Sequence, residues 1–218
     1  MFLKEITYTN WTTKEVITKK LSRITLVVGD NGSGKSYLIN SILQNYGGND
    51  EFNTYELLYA NSLNVLCKVK NENGGSFIHN TTENFIFKER NNIENWFKLY
   101  NRNDLKLIIN KDEPFGLPFS FEDNKGNRYS SSCLSSGHEK VLEIIAWISN
   151  KGNYCVNNNN KENSLILIDD FDTYLHPDLQ LHFLKILSDY MPENHQFIIS
   201  THSPFVASQF SDDDKIVL

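Results

Sequence analysis

Residues Gly29–Ser36 read GDNGSGKS and directly follow the apolar run Ile24–Val28. A strand that ends in a glycine-rich loop of this spacing directs backbone N–H groups at a phosphate, and Lys35 adds a positive charge for the terminal phosphates. Residues Ser36–Leu43 have the pattern of a helix, whose amino-terminal amides point at the same anion. A glycine-rich turn with a chance lysine is the alternative, but the flanking strand and helix favour a nucleoside triphosphate site.

The residue types within this loop fit phosphate binding. A glycine has no Cβ, so the backbone can turn through positive φ and approach an anion closely; asparagine tolerates the same region better than most residues. The serine at the start of the helix can offer its hydroxyl to Mg²⁺. The predicted nucleotide-binding residues of the loop are Gly29, Asn31, Gly32, Ser33, Gly34, Lys35 and Ser36.

Composition narrows the class of protein. The chain has 218 residues with 39% apolar residues and a mean hydropathy of −0.43, and no apolar run approaches the roughly 20 residues of a membrane-spanning helix. The amino terminus lacks the pattern of a secretory signal, and the three cysteines are odd in number and without metal-ligand spacing. We therefore expect a globular cytoplasmic protein with reduced thiols and no membrane partner.

The charge balance bears on nucleic-acid binding. A net charge of −6 gives no general electrostatic footprint for nucleic acid. Basic residues before the phosphate loop and in the middle of the chain are more typical of a solvated face. Any contact with nucleic acid is therefore expected through a partner or a local basic patch.

The chain is expected to form a single domain, 1–218, whose middle part differs in character. Residues 52–130 consist of short alternating stretches broken by turn-forming Asn and Gly, which predicts an antiparallel β-subdomain with some helix. Residues 150–163 form an asparagine-rich loop insertion. The last third returns to longer elements: Ser164–Ile168 is typical of a buried strand in a parallel sheet. Pro177 opens a helix, whose predicted buried face consists of Phe183, Leu184, Ile186 and Leu187.

Polar side chains follow two predicted strands of this last third. Asp169 and Asp170 come directly after the first strand, where one carboxylate can hold Mg²⁺ through its water shell and the other can face an attacking water. His202 follows the next strand and can reach a terminal phosphate if the two strand ends share one edge of a parallel sheet. A pair of solvated loop aspartates and an ordinary polar histidine are the alternatives, and the upstream phosphate loop favours the site.

A second anion-binding turn is predicted at Leu134–Lys140, which reads LSSGHEK. Ser135, Ser136 and Gly137 precede a predicted helix, so hydroxyls and helix amides face outward together. Taken alone, this segment is a helix cap. Because the chain already has a phosphate loop, the second turn suggests a nucleotide held between two chains.

In this order, the segments resemble those of the ABC-type ATPases over most of the chain, except the middle β-region and the asparagine-rich loop. Gly29–Ser36 matches the Walker A motif, Leu134–Lys140 the family signature, Leu165–Asp170 the Walker B motif and His202 the switch histidine. The LSSG form of the signature and the Leu-His-Pro and Thr-His-Ser-Pro segments are similar to the SMC-like and RecF-like soluble ATPases. They are also similar to small bacterial AAA-labelled proteins of DNA repair and phage defence.

That resemblance implies an α/β P-loop NTPase fold of the ABC-ATPase type, with a mostly parallel core sheet flanked by helices and an antiparallel β-subdomain. It also implies a head-to-tail homodimer that holds two ATP molecules with Mg²⁺ at its interface. The signature turn of one subunit would then contact the γ-phosphate held by Lys35 of the other. ATP binding would close the dimer and hydrolysis would open it, which would switch or license a separate effector such as a nuclease.

The resemblance also assigns roles to residues. The implied catalytic residues are Asp170, His202 and Lys35; the implied metal ligands are Ser36 and Asp169; and Ser135, Ser136 and Gly137 would bind the nucleotide across the interface. Asn10-Trp11 stands where such relatives carry Asn-Phe.

The chain departs from the family pattern at two sites. Asp170 replaces the usual glutamate base, and its carboxylate reaches about 1.5 Å less far; a misplacement of that order can cost roughly a hundredfold in rate, which predicts slow hydrolysis. The glutamine of the family's Q-loop is missing or replaced, since none occurs between Gln44 and Gln180. The short reach of Asp170 keeps an ATP-sensing module with little turnover as an alternative function. A nucleotide-binding subunit of a transporter is another alternative, although such a subunit normally carries the glutamine that is missing here.

Overall fold

The computed structural model describes residues 3–46, 52–59, 65–70, 76–81, 105–109, 119–130, 137, 141, 163–173, 175–189, 193 and 195–218. The strands are β1 (Glu5–Thr9), β2 (Val16–Lys20), β3 (Ile24–Val28), β4 (Phe52–Tyr59), β5 (Val65–Lys70), β6 (Ser76–Thr81), β7 (Leu105–Ile109), β8 (Phe119–Asp123), β9 (Arg128–Ser130), β10 (Asn163–Ile168), β11 (His195–Thr201) and β12 (Lys215–Val217). The helices are α1 (Lys35–Tyr46), α2 (Pro177–Asp189) and α3 (Pro204–Ala207), with a 3₁₀ turn at Asp212–Asp214.

The central sheet has seven strands in the order β12-β3-β11-β10-β4-β5-β6. The pairings of β12 with β3, β3 with β11, β11 with β10 and β10 with β4 are all parallel. Residues Leu165–Ile168 and Phe197–Ile199 are buried, as expected for the middle strands of a parallel sheet that is covered on both faces. The parallel core predicted from these apolar runs is confirmed.

Two helices provide much of this cover. Helix α1 buries Leu38, Ile39, Ile42 and Leu43, whose spacing puts their side chains on one face of the helix. They form one apolar cluster with residues of β3, β10 and β11. Helix α2 begins at Pro177, whose missing N–H costs nothing at that position. It buries the four residues predicted for its inner face: Phe183, Leu184, Ile186 and Leu187.

Strands β1 and β2 form a separate antiparallel pair. Ile6 and Tyr8 of β1 are buried in the same cluster as helix α1, and burial raises the pKa of the Tyr8 phenol. The side chain of Gln196 holds the start of the hairpin, since its Oε1 accepts from the Leu3 N–H at 3.0 Å and its Nε2 donates to the Leu3 carbonyl at 2.9 Å. The hairpin is thus anchored at the amino-terminal end of β11.

One sequence prediction was wrong for strand β4. The sequence predicts that residues 52–59 belong to the antiparallel subdomain, but β4 pairs in parallel with β10, from Phe52 opposite Asn163 to Leu57 opposite Ile168. Alternation of apolar and polar residues indicates a strand without identifying its partner. The preceding helix α1 supplies the crossover that a parallel strand requires.

Antiparallel pairing is found farther along the chain. Strands β7, β8 and β9 form a three-stranded sheet, and β8 turns into β9 through Gly126, which has φ 82°. The asparagine-rich loop at 150–163, apart from Asn163, lies outside the described residues, as do Ser135 and Ser136. With β4 excluded, the extent of the predicted 52–130 subdomain stays a prediction.

The chain divides into two compact units. The first contains Met1–Leu58, Leu66–His79 and Cys155–Leu218, and the second contains Tyr59–Val65 and Asn80–Tyr154. The phosphate loop and the residues that follow β10 and β11 all belong to the first unit. Within the part of the chain that the structure describes, no helix is both long and apolar enough to cross a bilayer.

Arg23, just before β3, ties the carboxyl end of α2 to the sheet. Its guanidinium donates to the carbonyls of Leu187 at 3.3 Å, Ser188 at 2.8 Å and His195 at 3.3 Å. Carbonyls at a helix end have no partner within the helix and carry partial negative charge, so a cation there is stabilising.

We predict that Arg23→Ala lowers the free energy of unfolding by about 1–2 kcal/mol, because it removes charge-assisted bonds to a helix end. Urea denaturation monitored by circular dichroism measures the change. Lys20→Ala removes an exposed cation from the neighbouring strand and is the matched control, with an expected change below about 0.5 kcal/mol. Equal midpoints for wild type and Arg23→Ala would contradict the prediction.

Candidate functional site

The phosphate loop connects β3 directly to α1. The N–H of Ser33 donates to the Asp30 carbonyl at 3.1 Å, and Gly32 and Gly34 have φ values of 81° and 103°. A Cβ at Gly34 would lie 3.0 Å from the Cβ of Trp11, whereas one at Gly32 would meet nothing within 4 Å. The loop therefore needs a positive φ at both Gly32 and Gly34, but of the two only Gly34 is closely packed against another residue.

The ammonium of Lys35 is held within this loop. The residue is only 4% exposed, and its Nζ donates to the carbonyls of Gly29 at 2.8 Å and Asp30 at 2.9 Å. Its third neighbour is Nδ1 of His202 at 3.2 Å. Three acceptors match the three N–H donors of an ammonium, which offsets the cost of burying the charge.

His202 joins this lysine to Asp170. The Nε2 of His202 lies 3.2 Å from Oδ1 of Asp170. Because an ammonium only donates, Nδ1 must accept from Lys35, so we assign the ring proton to Nε2, from which it is donated to the carboxylate. The carboxylate of Asp172 fixes the strand end beneath the imidazole, since its two oxygens accept from the His202 N–H at 3.2 and 3.3 Å.

The two carboxylates after β10 meet the end of β11. The hydroxyl of Ser200 donates to Oδ1 of Asp169 and accepts from the N–H of Asp170 at 2.7 Å. Asp170 has φ 47°, in the left-handed region that few side chains other than Asp and Asn enter. The carboxyl ends of neighbouring parallel strands lie at one edge of a sheet, which brings the side chains of Asp169, Asp170 and Ser200 together.

An open cleft of about 460 Å³ lies beside the loop, within the size range of small-molecule sites. Its lining includes seven residues predicted from the sequence: Asn31, Gly32, Gly34, Lys35, Ser36, Asp170 and His202. Of the other predicted residues, Gly29 accepts from Lys35, Ser33 lies within the loop and Asp169 lies next to Asp170. Gly137 is helical and buried and belongs to the second unit.

Two aromatic residues of the cleft were missed as site residues. Trp11 and Tyr37 line it with ring centroids 5.2 Å apart and planes tilted by 47°. They are 53% and 57% exposed, and Nζ of Lys14 lies 4.2 Å from the centroid of the Trp11 ring.

The tip of the β1–β2 hairpin brings Trp11 to the loop. Oδ1 of Asn10 accepts from the N–H of Thr12 at 2.9 Å and of Thr13 at 3.0 Å, an asparagine turn that fixes the tip. The available signal was an aromatic residue directly after a turn-forming asparagine. Nothing local to residues 10–13 shows that the tip packs against the loop, because that contact depends on the docking of the hairpin.

A triphosphate with Mg²⁺ fits these residues. The Oγ of Ser33 is buried and has no hydrogen bond partner in the described part of the chain, so the phosphate loop contains one unpaired polar group. Among the described residues, no group of three His, Cys, Asp or Glu could hold a metal ion by itself. Mg²⁺ that retains waters and takes phosphate oxygens needs only one or two protein ligands, which Ser36 and Asp169 would supply.

Comparison with solved structures confirms the fold. The chain is similar to the SMC head domain from Thermotoga maritima, with a TM-score of 0.55, 16% identity, and coverage of 95% of this chain and 92% of that one. It is also similar to an SMC head bound to the C-terminal winged-helix domain of ScpA, with a TM-score of 0.51, 16% identity, and coverage of 95% and 91%. The predicted P-loop NTPase fold of the ABC and SMC type is confirmed.

A curated relative is the "Retron Vc95 probable ATPase" of Vibrio cholerae serotype O1 biovar El Tor. It is 24% identical over 192 residues, which cover 82% of this chain and 36% of the relative. The matched region therefore spans about a third of the relative's length.

A family model matches residues 71–208, more than half of the chain. The match begins after the phosphate loop and includes the Leu134–Lys140 segment, both carboxylates after β10 and His202. The chain thus belongs to the family described as "AAA domain, putative AbiEii toxin, Type IV TA system".

Proposed function

We propose that this chain binds ATP with Mg²⁺ in the cleft and hydrolyses it. The observation that supports this most strongly is the row of hydrogen bonds from Lys35 through His202 to Asp170. Phosphoryl transfer to water needs a charged donor, a neutral relay and a carboxylate. Here these groups lie together at the ends of adjacent parallel strands.

Each side chain has a distinct task in this proposal. Lys35 can exchange Nδ1 of His202 for a γ-phosphate oxygen, because an anion is a stronger acceptor than a neutral imidazole. Asp170 takes a proton from the water that attacks the γ-phosphorus, as the bond to the ADP oxygen breaks. Ser36 and Asp169 hold Mg²⁺, which when bound neutralises charge on the phosphates.

The cleft also offers a surface for the nucleobase. Trp11 has a half-exposed ring beside the phosphate loop, and stacking of a base on an aromatic ring contributes about 1–3 kcal/mol. Tyr37 lies next to this ring. The two aromatic residues therefore support a nucleotide over an isolated phosphate.

We further propose that two copies form a head-to-tail dimer around two ATP molecules and thereby switch a separate effector. The SMC-like head fold supports this, as does the Ser135–Gly137 segment, which the sequence predicts to bind an anion and which a chain with its own phosphate loop would use across an interface. Cytoplasmic location, action on nucleic acid through a partner or a basic patch, and a role in DNA repair or antiviral defence belong to this proposal.

An ATP-sensing module with little turnover is the second candidate. The aspartate at position 170 favours it, because its carboxylate reaches less far than that of glutamate. Phosphate release separates the two functions: hydrolysis by the wild type above the level of a Lys35→Ala variant supports the enzyme, and equal rates support the sensor.

We predict that Asp170→Asn lowers the rate of phosphate release by roughly a hundredfold or more, because it removes the general base. Asparagine tolerates the left-handed backbone at this position, so affinity for a fluorescent ATP analogue should stay within about twofold of the wild type. Undiminished hydrolysis by Asp170→Asn would exclude this residue as the base.

We predict that Asp170→Asn forms a stable dimer with ATP and Mg²⁺, because the γ-phosphate that links the subunits is not removed. Size-exclusion chromatography with light scattering gives the mass with ATP, with ADP and without nucleotide. Adding Ser135→Arg should prevent the dimer while leaving ATP binding intact. A monomer at saturating ATP would refute the two-chain site.

We predict that Gly34→Ala weakens nucleotide binding more than Gly32→Ala. Both substitutions place a side chain at positive φ, which costs about 1–2 kcal/mol, but only the first brings a Cβ within 3.0 Å of Trp11. Equilibrium binding of the same ATP analogue should show an additional loss of about tenfold for Gly34→Ala. Equal losses for the two variants would show that the packing of Trp11 on the loop does not matter.

A further inference from the structure

Ser200 lies where the two strands that carry the site come together. It is the second-last residue of β11 and is completely buried. Its backbone carbonyl accepts from the N–H of Phe171 at 3.3 Å, so the chain leaving β10 is tied to β11 at this residue. The Ser200 side chain therefore faces the two carboxylates at positions 169 and 170.

A single hydroxyl contacts both of these residues. It accepts from the N–H of Asp170 at 2.7 Å and has one proton to donate. Oδ1 of Asp169 is much closer to the hydroxyl than Oδ1 of Asp170, which lies 3.5 Å away. The proton is therefore assigned to Asp169.

These two bonds fix different parts of the site. The bond to the Asp170 N–H holds a residue with φ 47°, a conformation that is unfavourable for most side chains and persists only where its surroundings maintain it. The bond to Asp169 occupies one carboxylate oxygen and leaves Oδ2 free of described hydrogen bonds. One hydroxyl thus sets the direction of the predicted metal ligand and the backbone of the predicted base.

We propose that Ser200 is a positioning residue for hydrolysis: it orients Asp169 toward the metal ion and holds Asp170 against His202. This inference rests on the proposed ATPase function. Ser200 touches neither nucleotide nor metal in this account and acts only through the two carboxylates.

The test compares Ser200→Ala with Ser200→Thr, which keeps the hydroxyl, and with Ser203→Ala. Ser203 caps α3 by accepting from the Val206 N–H at 3.3 Å, so its substitution removes a hydroxyl from the same region without touching either carboxylate. Steady-state hydrolysis gives kcat and KM. Electron paramagnetic resonance of Mn²⁺ with a non-hydrolysable ATP analogue gives metal affinity without turnover, and thermal unfolding checks the fold of each variant.

For Ser200→Ala we expect a kcat at least about tenfold lower, with KM for ATP within about twofold of the wild type. We also expect Mn²⁺ affinity lower by about tenfold, as for other residues that orient metal ligands. Ser200→Thr should restore both quantities and Ser203→Ala should change neither. If Ser200→Ala does not fold, Ser200→Cys, which keeps the size but donates only weakly, is measured instead.

The metal measurement separates the two levels of the proposal. A wild-type chain that fails to bind Mn²⁺ with the analogue would overturn the proposed function and this inference with it. If Ser200→Ala binds Mn²⁺ as tightly as the wild type does, only the proposed role of Ser200 is overturned. Equal losses of kcat and Mn²⁺ affinity in Ser200→Ala and Ser203→Ala would also overturn the role of Ser200, because they would reflect a general disturbance of the strand end.

Discussion

The buried ammonium of Lys35 is the interaction on which the site depends. A charge that is almost fully removed from water must be paired with polar groups, and here the pairing extends from the loop to the imidazole of His202. The lysine therefore links the phosphate loop to the end of β11. Replacing one of its neutral acceptors by an anion provides a direct way for ligand binding to alter the site.

The parallel sheet makes this link possible. Strands β3, β11 and β10 are neighbours, so the phosphate loop, His202 and the two carboxylates emerge at the same edge. Ser200 and Asp172 then join the ends of β10 and β11 by side-chain hydrogen bonds to backbone N–H groups. The geometry of the site thus follows from strand order together with a few polar contacts at the strand ends.

Much of this arrangement could be predicted from the sequence, because its signals are local. The glycine-rich loop, the apolar strands and the polar residues that follow them are contiguous, and Phe183 and Leu187 of α2 follow a helical period. Two contacts could not be predicted from the sequence: the pairing of β4 with β10 and the packing of Trp11 on Gly34. Both join residues that are far apart in the chain. The role of Ser200 has no local signal either, since serine near a strand end is common and its contacts depend on the register between β10 and β11.

The most direct test of the account is a crystal structure of this chain with Mg²⁺ and a non-hydrolysable ATP analogue. The account predicts Lys35 Nζ bonded to a γ-phosphate oxygen, Mg²⁺ near Ser36 and Asp169, and the base against Trp11. A nucleotide bound elsewhere, or a lysine still bonded to the Gly29 carbonyl and His202 with the analogue in the cleft, would contradict it.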